Sequence, residues 1–169
     1  MLKPAELRQA VTSANPHLAR DPDKLQVFID SGRIVCAGGA SLSFEYQYTI
    51  NLIVQDYPGH ADAILLPMLA WLRTNQPELF ENVEKRNQGI RFEAEFINQG
   101  VMDLSIEVDL TERVIVAPDP DAGNRLVAEH VGEPPHPEFP IDDWTLEVID
   151  RRTDTLLATF TFPGWRPVL

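Results

Sequence analysis

The chain has 169 residues, 44% hydrophobic and 24% charged, which suits one domain with a buried core. Its net charge of −12 excludes wrapping duplex DNA or adsorbing to an anionic membrane, since both need Lys and Arg against phosphates. A solvated surface fits that charge, and so does a passage that DNA crosses without sticking.

The opening "MLKPAELRQA" lacks the apolar stretch of a signal peptide, so none is expected. Pro4 to Ala14 reads as a short helix, with Pro4 in the first turn and Leu7, Ala10, Val11 and Ala14 on one face. "NPHLARDPDK" breaks it with two prolines. Residues 25–29 and 33–37 then flank "DSG", a predicted hairpin turn. The single cysteine, Cys36, lies in this apolar stretch and reads as a buried structural thiol. One cysteine forms no intramolecular disulfide, so a reducing assembly compartment is expected.

"SLSFEYQYTINLIVQDY" follows. Leu42, Phe44, Tyr46, Tyr48, Ile50, Leu52 and Val54 alternate with Ser43, Glu45, Gln47, Thr49, Asn51 and Ile53, the pattern of a half-buried strand. At about 3.3 Å per residue it runs roughly 40 Å, about twice a usual strand. "DYPGHAD" is a loop with Asp62 as helix N-cap. Ala61, Ile64, Leu65, Met68, Leu69 and Leu72 mark one face of a helix ending near Asn75, with Pro67 removing one backbone bond. "NQP" stops it, and its apolar stretch is too short to span a bilayer. Tyr48, Trp71 and Leu72 are predicted core.

"IRFEAEF" and "MDLSIEVDL" are two alternating strands joined around "NQG", the second extending to Val116. From Pro118 the composition turns Pro- and Asp-rich and reads as loop, with "RLVAEHV" a short strand inside it. "WTLEVIDRRTDTLLATFTF" is a closing hairpin, with Trp144, Leu146 and Val148 facing Leu156, Ala158, Phe160 and Phe162. The expected class is α+β: a largely antiparallel sheet with long strands against one or two helices. Residues 1–116 form the core and 117–142 a loop region. Residues 143–169 form a hairpin and tail of the same domain.

Chemical motifs are scarce. His17, His60, His130 and His136 have no partner at metal-ligand spacing, and no dinucleotide, Walker A or G-x-S-x-G pattern occurs. No catalytic residue, cofactor or metal is therefore assigned. The one concentrated feature is acidic: Glu93, Glu95, Asp103, Glu107 and Asp109 fall on the polar face of the two neighbouring strands. A solvated outer face, an oxygen-ligand site for Mg²⁺ or Ca²⁺, a general acid and base pair, and the wall of a channel for DNA all fit such a cluster. In the tail "FPGWRPVL", Trp165 and Arg166 are candidate partner contacts, being residue types enriched in interfaces.

"YTINLIVQDYPGHADAILLPMLAWLRTNQPELF", followed by "VDLTERVIV", resembles the tail completion protein R family of contractile-tailed temperate phages and related prophages. "LAWLRTNQPELF" is its most specific part, with "SLSFEYQYT" before it and "LTER" after, and the resemblance covers Met1 to Val116. It implies a structural, non-enzymatic tail completion or terminator protein at the head-proximal end of the virion tail, assembled in the bacterial cytoplasm. It further implies tail tube or sheath protein and head–neck connector proteins as partners, and a homo-oligomeric ring, commonly a hexamer, whose lumen DNA crosses. A tail-assembly chaperone or binding module absent from the finished particle is the alternative, with a metal-dependent enzyme using the Glu93–Asp109 carboxylates behind it.

Overall fold

Alternating segments become the strands of one curled antiparallel sheet, and the helical segments lie across one of its faces. The computed structural model describes residues 1–36, 38–98, 100–134 and 144–162. Helix α1 (Lys3–Ala14) and the short α2 (Pro16–Arg20) precede strands β1 (Leu25–Cys36) and β2 (Phe44–Tyr57). Then come α3 (Asp62–Asn75), the single-turn α4 (Glu78–Glu81) and α5 (Val83–Gln88). Strands β3 (Ile90–Asn98), β4 (Val101–Asp119) and β5 (Ala122–Val131) complete the sheet. A separate hairpin, β6 (Trp144–Asp150) and β7 (Thr155–Phe162), ends the described chain.

The sheet order is β1-β2-β4-β3, and β5 pairs with β4 beyond the end of β3. The core lies between sheet and helices. Tyr48, Ile50, Leu52 and Val54 of β2 and Leu104, Ile106, Val108 and Leu110 of β4 meet Leu7 and Val11 of α1 and Ile64, Met68, Trp71 and Leu72 of α3. The long strand expected from the alternation at 42–54 is β2, and its length is matched by two partners. β1 pairs with it from Leu25↔Val54 to Cys36↔Phe44, and β4 from Tyr57↔Met102 to Phe44↔Val114.

Helix α3 is buried on a second side, where Ala63 packs on Val148 and Ala158 of the β6–β7 hairpin. Pro67 stands inside α3 and cannot donate to the carbonyl of Ala63. Asn15 takes that role: its Nδ2 donates to the Ala63 carbonyl at 3.3 Å and to the Tyr57 hydroxyl at 2.7 Å. Its Oδ1 caps α2 by accepting from the His17 and Leu18 N–H groups. One buried asparagine thus repairs the proline, caps a helix and fixes the end of β2.

Several expectations are corrected. "DSG" is no hairpin turn. β1 runs straight through it, and a bulge between Ile29 and Ser31 absorbs Asp30, because the full length of β2 offers a partner ladder. Asp62 is the first residue of α3, not its cap. The Pro- and Asp-rich stretch after Pro118 is strand rather than loop up to Val131: β4 continues to Asp119, and "RLVAEHV" belongs to β5. Cys36 is exposed, because it ends an edge strand beyond the helical layer.

The apolar stripe of β3 lies on the core face, opposite Ile106, Leu104 and Met102. The helices do not cover it, and Phe92 and Phe96 remain 63% and 76% exposed.

Candidate functional site

The open face of the sheet carries the five predicted carboxylates. Cross-strand register sets Glu95 against Asp103, Glu93 against Ser105, and Arg91 against Glu107. β2 supplies Thr49 opposite Asp109 and Asn51 opposite Glu107. Arg91 is the one cation in this cluster: its Nε–H donates to Glu107 Oε2 at 3.0 Å and its Nη2–H to Asp109 Oδ1 at 3.2 Å. Those bonds, the Asp109 bond foremost, raise the Arg91 pKa above its ordinary value. Asp109 also accepts from Thr49 Oγ1 at 2.8 Å, and Asp103 from the Asp56 N–H at 2.7 Å. Glu93 and Glu95 are exposed, and Asp103, Glu107 and Asp109 half-buried.

The acidic residues are therefore brought together on one face, but in two groups. Glu107 and Asp109 share Arg91 as their counter-charge, while Glu93, Glu95 and Asp103 form a strip beside them without an ion-pair partner among the described residues. Among the described residues no three His, Cys, Asp or Glu side chains converge as ligands for a metal ion. Next to Asp109 lies a groove of about 560 Å³ with a mixed lining, polar at Arg33, Gln47, Thr49, Glu78 and Lys85 and apolar at Leu79 and Leu110. Trp165 and Arg166 lie outside the described residues.

A second polar centre lies under the helices. β3 ends its ladder at Ile90↔Val108 and β5 begins at Val131↔Arg113, which leaves a gap along β4. Gln76, 1% exposed, fills it: Oε1 accepts from the Thr111 N–H at 3.1 Å, and Nε2 donates to Thr111 Oγ1 at 2.9 Å and Glu78 Oε1 at 3.0 Å. The same Oε1 accepts from Lys3 Nζ at 2.7 Å, and Lys3 pairs with Glu133 at 2.7 Å.

The neighbouring Glu112 is 4% exposed and accepts from the Tyr48 hydroxyl and, at 2.7 Å, from the Leu2 N–H. His130 Nδ1 lies 3.1 Å from Glu112 Oε2 without hydrogen-bond geometry. Burial pushes the Glu112 carboxyl up. The Tyr48 bond, the Leu2 N–H, the chain's amino terminus and His130 outweigh it and hold the carboxyl below the usual range. Burial, then the bond to Glu112, drives the Tyr48 hydroxyl far above its ordinary pKa.

Sequence reasoning passed over this junction, although a signal was present. Glu112 stands at an apolar position of β4, between Leu110 and Val114, and a carboxylate there has to be buried with partners.

The "NQP" and "LTER" stretches thus meet in space, Gln76 on Thr111, and Tyr48 of "YTI" meets Glu112. The model of the P2 phage tail completion protein R family matches residues 1–134. Tail completion protein R of Escherichia phage P2 is 43% identical over 138 residues, which cover 82% of this chain and 87% of that protein. The chain belongs to the tail completion protein R family. No solved structure matches it. The family match reaches beyond Val116 to residue 134, and so takes in all of β5 and the Glu133 that pairs with Lys3. Membership makes tail completion the role of this protein.

Proposed function

We propose that the protein acts as a structural part, not a catalyst, capping the head-proximal end of the tail tube as a ring and enabling the head to join. The observation that carries this reading is the family match over residues 1–134. In this reading the face bearing Glu93, Glu95, Asp103, Glu107 and Asp109 lines the lumen, where carboxylates repel phosphates and let DNA slide. Tail tube or sheath subunits lie below and head–neck connector proteins above, and Trp165 and Arg166 belong to those contacts. A six-fold ring is the expectation carried by analogy with other tail terminators. The whole chain serves as one domain, its C-terminal hairpin backing α3.

Negative-stain electron microscopy of particles induced from a strain lacking this chain tests the reading. Over-long tubes, or free heads beside unjoined tails, are expected. Joined particles of normal length would overturn it. Mass spectrometry of purified wild-type particles should find the chain, and its absence there would make the protein an assembly chaperone instead.

A further inference from the structure

Among the described residues three strands of the main sheet have one partner each: β1 pairs with β2 alone, and β3 and β5 with β4 alone. Of these, β1 and β3 bound the two ends of the strand order and leave a backbone edge open. Soluble proteins blunt such edges by keeping them short, bulged or covered. Here the edges are 12 and 9 residues long, and the bulge at Asp30 of β1 and the irregularity after Phe96 of β3 leave Ser31–Cys36 and Ile90–Phe96 in regular ladders. Phe92 and Phe96 stand 63% and 76% exposed on one, Ile34 and Val35 60% and 44% on the other.

We propose that the two edges are the two halves of one interface: β3 of one copy of the chain pairs with β1 of the next. The proposal rests on the ring reading above and adds where its subunits join.

Strand direction favours this pairing. Every step of β1-β2-β4-β3 is antiparallel, so β3 runs opposite to β1. A second copy in the same orientation therefore presents β1 antiparallel to the first copy's β3, and the ladder continues unbroken. The contact is heterologous, using a different surface on each partner, as a ring requires.

Charge favours it too. On the outer face β3 carries exposed Glu93 and Glu95, and β1 carries exposed Arg33, whose Nε–H donates to Gln47 at 2.7 Å. A register that sets Arg33 against Glu95 also sets Ala94 against Ile34 and Phe96 against Gly32, where no side chain competes for the ring. The rival arrangement, β3 against β3 about a two-fold axis at Ala94, would set Glu93 against Glu95 twice. Like charges directly opposite disfavour it, and head-to-tail growth is selected over a closed dimer.

Sedimentation velocity and native mass spectrometry of the purified full chain over a concentration series test the proposal. The wild type should form a cyclic oligomer. Glu93→Arg with Glu95→Arg should weaken association by about tenfold or more, and adding Arg33→Glu should restore it. These positions are exposed, and an unchanged circular dichroism spectrum will show that the monomer still folds. Phe96→Ser supplies a charge-free variant with the same expected dissociation. An oligomer that the Glu93/Glu95 reversals and Phe96→Ser leave intact overturns the edge pairing while the ring reading stands. A wild type that stays monomeric throughout, or stops at a dimer, overturns both.

Discussion

Gln76 occupies the place of a missing strand, and replacing it by Ala should be among the most damaging single changes outside the apolar core. The Thr111 N–H then loses its acceptor at a half-buried position, which costs about 1–3 kcal/mol. The space left by the amide adds roughly 1 kcal/mol more. Lys3 keeps Glu133, and Glu78 keeps Lys85 at 2.6 Å, so neither charge is stranded. The expected loss is about 3 kcal/mol, a fall in Tm of roughly 6–12 °C for a chain of this size. Urea and thermal unfolding of wild type and Gln76→Ala at one low protein concentration, where the proposed self-association would add least to apparent stability, give the value. Gln26→Ala on the exposed side of β1 is the control and should stay within about 0.5 kcal/mol. A double-mutant cycle with Thr111→Val isolates the pair. A coupling below about 0.5 kcal/mol, or a Gln76→Ala loss no larger than the control, would refute the reasoning that a side chain completes the ladder.

The Glu112 carboxyl has a folded pKa below its unfolded value of about 4.3, so the unfolded chain takes up the proton first as pH falls. Its stabilising share is fully present above that value and is lost as pH drops through the folded pKa. The stability gap between wild type and Glu112→Gln should therefore narrow from neutral pH to about pH 3, and a constant gap in urea midpoints would contradict the assignment. A Cβ on Gly89 would lie 2.5 Å from Leu79 Cδ2 and 2.7 Å from the Lys85 carbonyl oxygen. Gly89→Ala should cost about 1–3 kcal/mol by forcing α5 off β3, measurable as a lower Tm. Phe92→Ser, at an exposed position, should leave the Tm of the dilute monomer within the range of an ordinary surface change, about 0.5 kcal/mol. A large loss there would mean that the aromatic side chain serves the monomer's own core.

The periodicity of β2, β3 and β4 was legible because each strand has one apolar face, and a period of two survives without any knowledge of partners. α3 was legible for the same reason despite Pro67. What sequence could not supply was which neighbour each strand would find. Asp-Ser-Gly is a good turn in isolation, yet β2 offers β1 a ladder along its whole length, and the bulge at Asp30 costs less than an unpaired strand end. Pro118 and the aspartates near it suggest a loop, but Pro118 stands beside the irregularity of the β4–β5 ladder, one residue before its last pair, where a proline is tolerated. The acidic face follows directly from parity. The junction of Gln76, Thr111 and Glu112 does not, since Gln76 and Thr111 come together only when α3 has crossed the sheet.

The acidic strip is difficult to explain by stability alone. Glu95 stands directly opposite Asp103, an arrangement that destabilises a sheet. A surface arranged for solubility intersperses both signs, whereas this cluster sets five carboxylates against Arg91 alone. Arg91 spends its hydrogen bonds on Glu107 and Asp109, so the excess collects at Glu93, Glu95 and Asp103, next to an open edge. At an edge, charge can do what apolar surface cannot: in the pairing proposed above it would reject a second copy of the same strand while accepting a strand that carries Arg33. Over the rest of the face, in the same reading, that sign would keep a polyanion from settling. In the ring reading proposed above, one composition, concentrated on β3 and β4, would serve both the joining of subunits and the free passage of DNA.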